Sequence, residues 1–330
     1  MSFITIIDEI KYWSIMRGTI VLLPFAYLFL LTKNPLWLQS SILTMSTLII
    51  EEKLKFTVLG VLLHGLAIIL GFYLLLLMEG YPVFFVFTCA LFASSIIWIT
   101  TKGDKLRSLA SWCFIPALFL ATEMRETANT ATPSAFLFYL FSALLPTLGL
   151  AIIDQLKWVL KEGEKYYPLQ LSVLNNFGER GSYLDSVMAM ILAVGFSTFL
   201  VEFFQLGNPQ WMIWGAASVV TGNILTTPTK FRQRLQGVLT GVPLGILLGQ
   251  FIPNTPFDLT LITFFIFLTL IGFHRYVVAY FLRCTAVAIA AVVISNSTII
   301  AFERITHVIL GGLIGLAFVM ICHVVVGRDD

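Results

Sequence analysis

Asn34-Pro35-Leu36-Trp37 returns later in the chain as Asn208-Pro209-Gln210-Trp211, and the architecture follows from this recurrence. Each copy closes a long apolar run and opens a shorter one, near 36–50 and 209–225. Each short run then reaches a basic turn, Lys53-Leu54-Lys55-Phe56 in one half and Lys230-Phe231-Arg232-Gln233-Arg234 in the other. A Gly-Val-Leu follows in both, at Gly60-Val61-Leu62 and Gly237-Val238-Leu239. An ordered series of matches at a nearly constant offset reads as an internal repeat. A matched pair of short apolar segments in two halves is also the sequence mark of a transporter's substrate site.

The composition sets the solvent. Of 330 residues, 58% are hydrophobic and 12% charged, about half the roughly 25% charge that covers a water-soluble domain. A net charge of +2 is too small to suggest nucleic acid. Spans of about 20 apolar residues are expected near 15–32, 36–50, 56–78, 81–100, 106–121 and 134–159. A second set is expected near 183–205, 209–225, 235–252, 258–274, 276–295 and 303–326. The expected fold is therefore an all-α polytopic membrane protein of about twelve transmembrane helices, arranged as two parallel six-helix repeats. The units are 1–160, with an interfacial amphipathic helix over Met1 to Met16, and 183–330, joined by a cytoplasmic linker at 161–182. An even number of spans per unit makes both units enter the membrane in the same direction, with their twofold axis along its normal.

Lysine and arginine orient the chain, because cytoplasmic loops carry their excess. Alternating across the twelve spans, sixteen of the twenty fall on the side of the N-terminus. Lys33, Arg125 and Arg304 fall on the other side, and Arg283 lies inside a span. Both termini are thus expected in the cytoplasm. Cys89, Cys113, Cys284 and Cys322 each sit within an apolar run, without zinc-finger spacing, and read as buried inert thiols.

Within the spans, polar residues are expensive and mark function or tight packing. Arg283 lies about 12 Å from the inner side at 1.5 Å per residue, and it reads either as a snorkelling residue or as an anion contact. Gly237, Gly241, Gly245 and Gly249 form a small-residue stripe that reads either as a surface for close helix approach or as a flexible gating helix. The matching face of the third span is Gly60, His64, Ala67 and Gly71, so His64 stands where the other half has Gly241; it is either a packing or a proton-relay histidine. Glu303, His307 and Gly311 share one face at i, i+4 and i+8, and Glu202 closes the seventh span. Candidate substrate contacts are Arg283, Arg234, Trp211 and Asn223; Glu202, Glu303, His307 and His64 are proton-coupling candidates. The chain shows no Walker A, Gly-x-Ser-x-Gly or His-Glu-x-x-His pattern, so neither an enzyme, a metal nor a cofactor is expected.

The stretch from Gln210-Trp211 to Gly249 resembles the fusaric acid resistance / aromatic acid exporter family. The likeness rests on its Pro-x-Trp entry, Pro228 before a basic turn, and Arg234-Leu235-Gln236-Gly237 leading to Gly241. Glu303-Arg304 followed by Gly311-Gly312-Leu313-Ile314-Gly315 is a second match. The first half departs from the pattern, with Thr57 where an arginine is expected and no Glu-Arg opening on its last span. The resemblance implies a two-unit, twelve-span plan, export of small, often aromatic, organic acids across a bacterial inner membrane, and a periplasmic adaptor (membrane fusion) protein as partner. It also implies likeness to plant malate channels. The expected function is a secondary exporter of organic anions, with the pathway between the two halves. The alternatives are a passive organic-anion channel of the same fold and a non-transporting membrane scaffold.

Overall fold

A computed structural model describes residues 9–126, 132–162, 170–174, 176, 184–220 and 225–326. The described residues form twelve helices. They are α1 (Tyr12–Thr32), α2 (Leu36–Leu54), α3 (Val58–Met78), α4 (Pro82–Thr100), α5 (Leu106–Glu126), α6 (Pro133–Glu162), α7 (Leu184–Phe204), α8 (Pro209–Val219), α9 (Thr227–Gly249), α10 (Pro256–Leu268), α11 (Tyr276–Ser295) and α12 (Ile299–Val326). Among the described residues the only β pairings are two isolated bridges, Ile10 with Phe273 and Phe56 with Ser172.

Seven of the twelve, α1, α3, α4, α6, α7, α11 and α12, are long and apolar enough to cross a bilayer. The other five differ from a simple span for physical reasons. Helices α2, α5 and α9 carry polar and charged turns. In α9, Pro228 sits in the first turn, where its missing N–H is harmless, so the helix starts at Thr227 and takes in the basic turn ahead of the expected 235–252 span. Helix α10 is capped by Thr255, whose side chain accepts from the Asp258 N–H at 3.2 Å. It ends at Leu268, short of the expected 274. Helix α8 is eleven residues long. Val220 leaves helical geometry at ψ 95°, and the polar Thr221-Gly222-Asn223 that follows lies outside the described residues.

The N-terminal expectation changes too. Residues 1–8 lie outside the described residues, and Tyr12–Met16 begin α1 rather than a separate interfacial helix. Glu9 and Lys11 bond the segment between α10 and α11: Lys11 N–H donates to Gly272 O at 2.9 Å, His274 N–H to Glu9 O at 2.9 Å, and Arg275 pairs with Glu9 at 2.7 Å. Much of the expected linker 161–182 is likewise outside the description, but Leu171 and Val173 pair with the turn before α3.

Large apolar side chains cover the outer faces, Leu70 at 72% exposure and Leu145 at 66% among them. In water such a surface would aggregate; in a bilayer it is solvated. Lipid supplies no hydrophobic drive between helices, so contact depends on close packing and buried hydrogen bonds. Thr44 donates to Ala143 O at 2.6 Å and Thr147 to Thr44 O at 3.1 Å, tying α2 to α6. In the first half α2 packs on α6, and α5 on α3 and α4; in the second, α8 packs on α12, and α11 on α9 and α10. Between the halves α4 meets α7, and α1 meets α10. The turns alternate between two ends. One end gathers Lys11, Lys53, Lys230 and His274; the opposite end gathers the Arg125 ion pairs and the start of α12.

Candidate functional site

A cavity of about 520 Å³ lies between the halves, open toward the basic end. Helices α2, α4 and α5 and the residues opening α1 line it from one half; α8, α9 and α11 line it from the other. Six cations face it: Lys11, Lys53, Arg107, Lys230, Arg234 and Arg283. Glu52 is the one carboxylate of its lining. Trp112, Trp214 and Tyr276 supply aromatic surface.

The structure thus brings Arg234 and Arg283 together, though they are 49 residues apart in sequence. Arg283 on α11 is buried; its Nε donates to Thr269 Oγ1 at 3.2 Å and a terminal nitrogen to Thr269 O at 3.1 Å, holding the C-terminal end of α10. Arg234 on α9 is 3% exposed. It reaches Tyr276 Oη at 3.5 Å and lies over the rings of Tyr280 at 4.8 Å and Trp214 at 5.9 Å, while its Nε has no hydrogen-bond partner. Lys230 sits 3.4 Å above the Tyr276 ring. Arg107 donates to Val220 O, the carbonyl closing short helix α8. None of the seven ion pairs among the described residues involves Arg234, Arg283 or Arg304. The buried arginine of the first half contrasts with these. Arg17 meets Glu51 at 2.6 Å, Asp154 at 2.9 Å and Glu52 at 3.7 Å. A buried guanidinium is costly without a counter-charge.

The other expected residues lie elsewhere. Trp211 is in the first turn of α8, with Arg304 over its ring at 5.1 Å and the His307 ring at 6.4 Å. Arg304, expected in an outer loop, is instead buried within α12, because that helix begins at Ile299 rather than 303. Glu303 Oε2 faces Gly207, 3.8 Å from where a Cβ there would stand. His64 is buried on α3, its Nε2 without a partner, and does not line the cavity. Asn223 lies outside the described residues. The four cysteines are free thiols, and all but the half-buried Cys113 are buried.

Glu202 joins a group that sequence reasoning did not assemble. Arg125 on α5 reaches Glu202 at 3.5 Å and Glu79, in the turn after α3, at 3.6 Å. Burial pushes the Glu79 carboxyl up to about 7, against the lowering pull of Arg125 and with a further push from Glu202. A carboxyl raised in the folded state stabilises the fold below its ordinary value near 4.5, and that contribution is lost as pH rises through 7. The melting temperature should therefore fall more steeply between about pH 5 and pH 8 in the wild type than in Glu79→Gln. Parallel curves would show that Glu79 does not titrate in that window.

Twelve helices, a lipid-facing apolar surface and an internal cationic cavity define a multi-pass membrane protein whose helices lie in a lipid bilayer. Residues 193–318 match the family described as fusaric acid resistance protein-like, which supports the resemblance read from the sequence. No curated protein and no solved structure matches the chain. The matched segment runs from α7 to α12 and contains Arg234, Arg283 and Arg304. Family and fold together point to a membrane transporter.

Proposed function

We propose that the protein is a secondary exporter of small organic acids, aromatic acids among them, in a bacterial inner membrane, with both termini cytoplasmic. The observation that carries this reading is the cavity in which six cations face one carboxylate. Substrate would enter there as an anion, drawn by Arg234 and Arg283. The excess of lysine and arginine at that end supports a cytoplasmic opening. The pairings α2–α6 and α3–α5, followed by α8–α12 and α9–α11, support two six-helix units running in the same direction. The periplasmic adaptor implied by the resemblance belongs to the same reading.

The test is benzoate flux in vesicles holding the purified protein, with and without an imposed proton gradient. Orientation is read in the same vesicles by labelling a cysteine placed at Lys105. Uphill, gradient-dependent benzoate movement from the Lys105 side is expected. Flux that only runs downhill would make the protein a passive anion channel. No flux of benzoate or of a dicarboxylate would favour a membrane scaffold.

A further inference from the structure

Short helix α8 presents two tryptophans one turn apart, and each lies under an arginine from another helix. Arg234 of α9 covers Trp214 at 5.9 Å, and Arg304 of α12 covers Trp211 at 5.1 Å. Positions i and i+3 share a helix face, and three residues advance about 4.5 Å along the axis. The two pairs therefore form successive steps from the cavity toward the opposite end. The upper step is as starved of partners as the lower. Arg304 is 5% exposed and its Nε has no hydrogen-bond partner. His307, one turn along α12 and 6% exposed, has an unpartnered Nδ1 and sits beside the same Trp211 ring. Glu303, adjacent in the chain, makes no ion pair with Arg304.

The corresponding place in the first half shows what packing alone looks like. Trp37, the partner of Trp211 in the recurring Asn-Pro-x-Trp, is enclosed by Tyr139 at 4.7 Å, Phe138 at 6.0 Å and Phe25 at 6.4 Å. Rings fill that space at no electrostatic cost. In the second half a buried guanidinium and an imidazole occupy it.

We propose that Arg304, Trp211 and His307 form a second binding site for the carboxylate of the transported anion, one step beyond the cavity site at Arg234 and Trp214. The guanidinium fork offers two parallel hydrogen bonds to a carboxylate, His307 Nδ1 borders the same space, and the tryptophan faces accept an aromatic ring. Arg304 is close enough to interact electrostatically with Tyr280 and Arg283, so the two sites form one positive track through α8, α9, α11 and α12. This proposal rests on the organic-anion reading above.

Fluorine NMR of 4-fluorobenzoate with the purified wild-type protein tests it. Two bound signals are expected; Arg304→Gln should remove one and Arg234→Gln the other. In vesicles, Arg304→Gln should slow benzoate flux at least about tenfold, as expected for loss of a charge-assisted contact of about 1.5–3 kcal/mol, with Arg304→Lys intermediate because it keeps the charge and loses the fork. A single bound signal in the wild type, or wild-type flux in Arg304→Gln, overturns the second site and leaves the exporter reading standing. Absence of both binding and flux in the wild type overturns the exporter reading itself. The wild-type spectrum decides between one site and two whether or not Arg304→Gln folds.

Discussion

Arg234→Gln is expected to weaken benzoate binding by about 10- to 100-fold while raising the melting temperature of the empty protein. The two effects have opposite signs because one residue causes both. In the empty protein Arg234 is buried, its Nε unbonded, with a single hydrogen bond to Tyr276 and no carboxylate within ion-pair distance among the described residues. Such a charge costs several kcal/mol to desolvate, and aromatic rings at 4.8 and 5.9 Å return part of that. A neutral amide removes the cost. The bound anion loses charge-assisted hydrogen bonds of about 1.5–3 kcal/mol, which is the stated range of affinity. Arg17→Gln is the internal control. Three carboxylates surround Arg17, so its removal strands negative charge, the buried Glu51 foremost, and should cost about 3–5 kcal/mol of stability. Thermal unfolding and fluorobenzoate titration of both variants decide the matter. If Arg234→Gln unfolds as early as Arg17→Gln, the arginine is a structural element and the anion site lies elsewhere.

Much of this was readable from residues, and the misses have physical causes. Twelve helices and their order follow from apolar runs that only a bilayer can solvate, and the two Asn-Pro-x-Trp stretches both prove to open helices, α2 and α8. Arg283 stood out because a charge in an apolar run is expensive, whereas Arg234 belonged to a basic turn that positive-inside bias alone would place there. What they do with neighbours was not legible. Arg283 reaches Thr269, fourteen residues back, because α10 stops after thirteen residues and its last carbonyls need a donor. Lys230, Lys53 and Arg107 read as positive-inside bias and turn out to face the cavity. That placement depends on α2, α4, α5, α8 and α9 converging, which no local pattern encodes. Arg304 was misplaced because Ile299 and Ile300 extend α12 outward by a turn, turning a loop charge into a buried one. Glu79 carried no signal at all, since its partner Arg125 lies 46 residues away.

The glycine stripe on α9 is where the packing reading makes its strongest demand, and Gly245→Val should unfold or grossly destabilise the protein. A Cβ at Gly245 would run into the Thr285 carbonyl oxygen and stand 2.7 Å from the Ala288 Cβ; one at Gly241 would stand 2.6 Å from Phe281 O. Those obstacles are α11 backbone and short side chains, which cannot swing aside, so α9 and α11 must separate. Overpacking against movable side chains costs about 1–3 kcal/mol; against backbone the loss should reach at least the top of that range. Function should fail together with stability, because α9 carries Lys230 and Arg234 while α11 carries Tyr276, Tyr280 and Arg283. The matching test is Gly149→Ala on α6, where an added Cβ meets nothing within 4 Å. There the methyl only narrows the unfolded ensemble, and stability should rise by about 0.4–1 kcal/mol. Unfolding of both variants in detergent, read against the wild type, checks the pair. Equal tolerance at the two positions would mean that α9 and α11 do not approach as closely as their glycines allow.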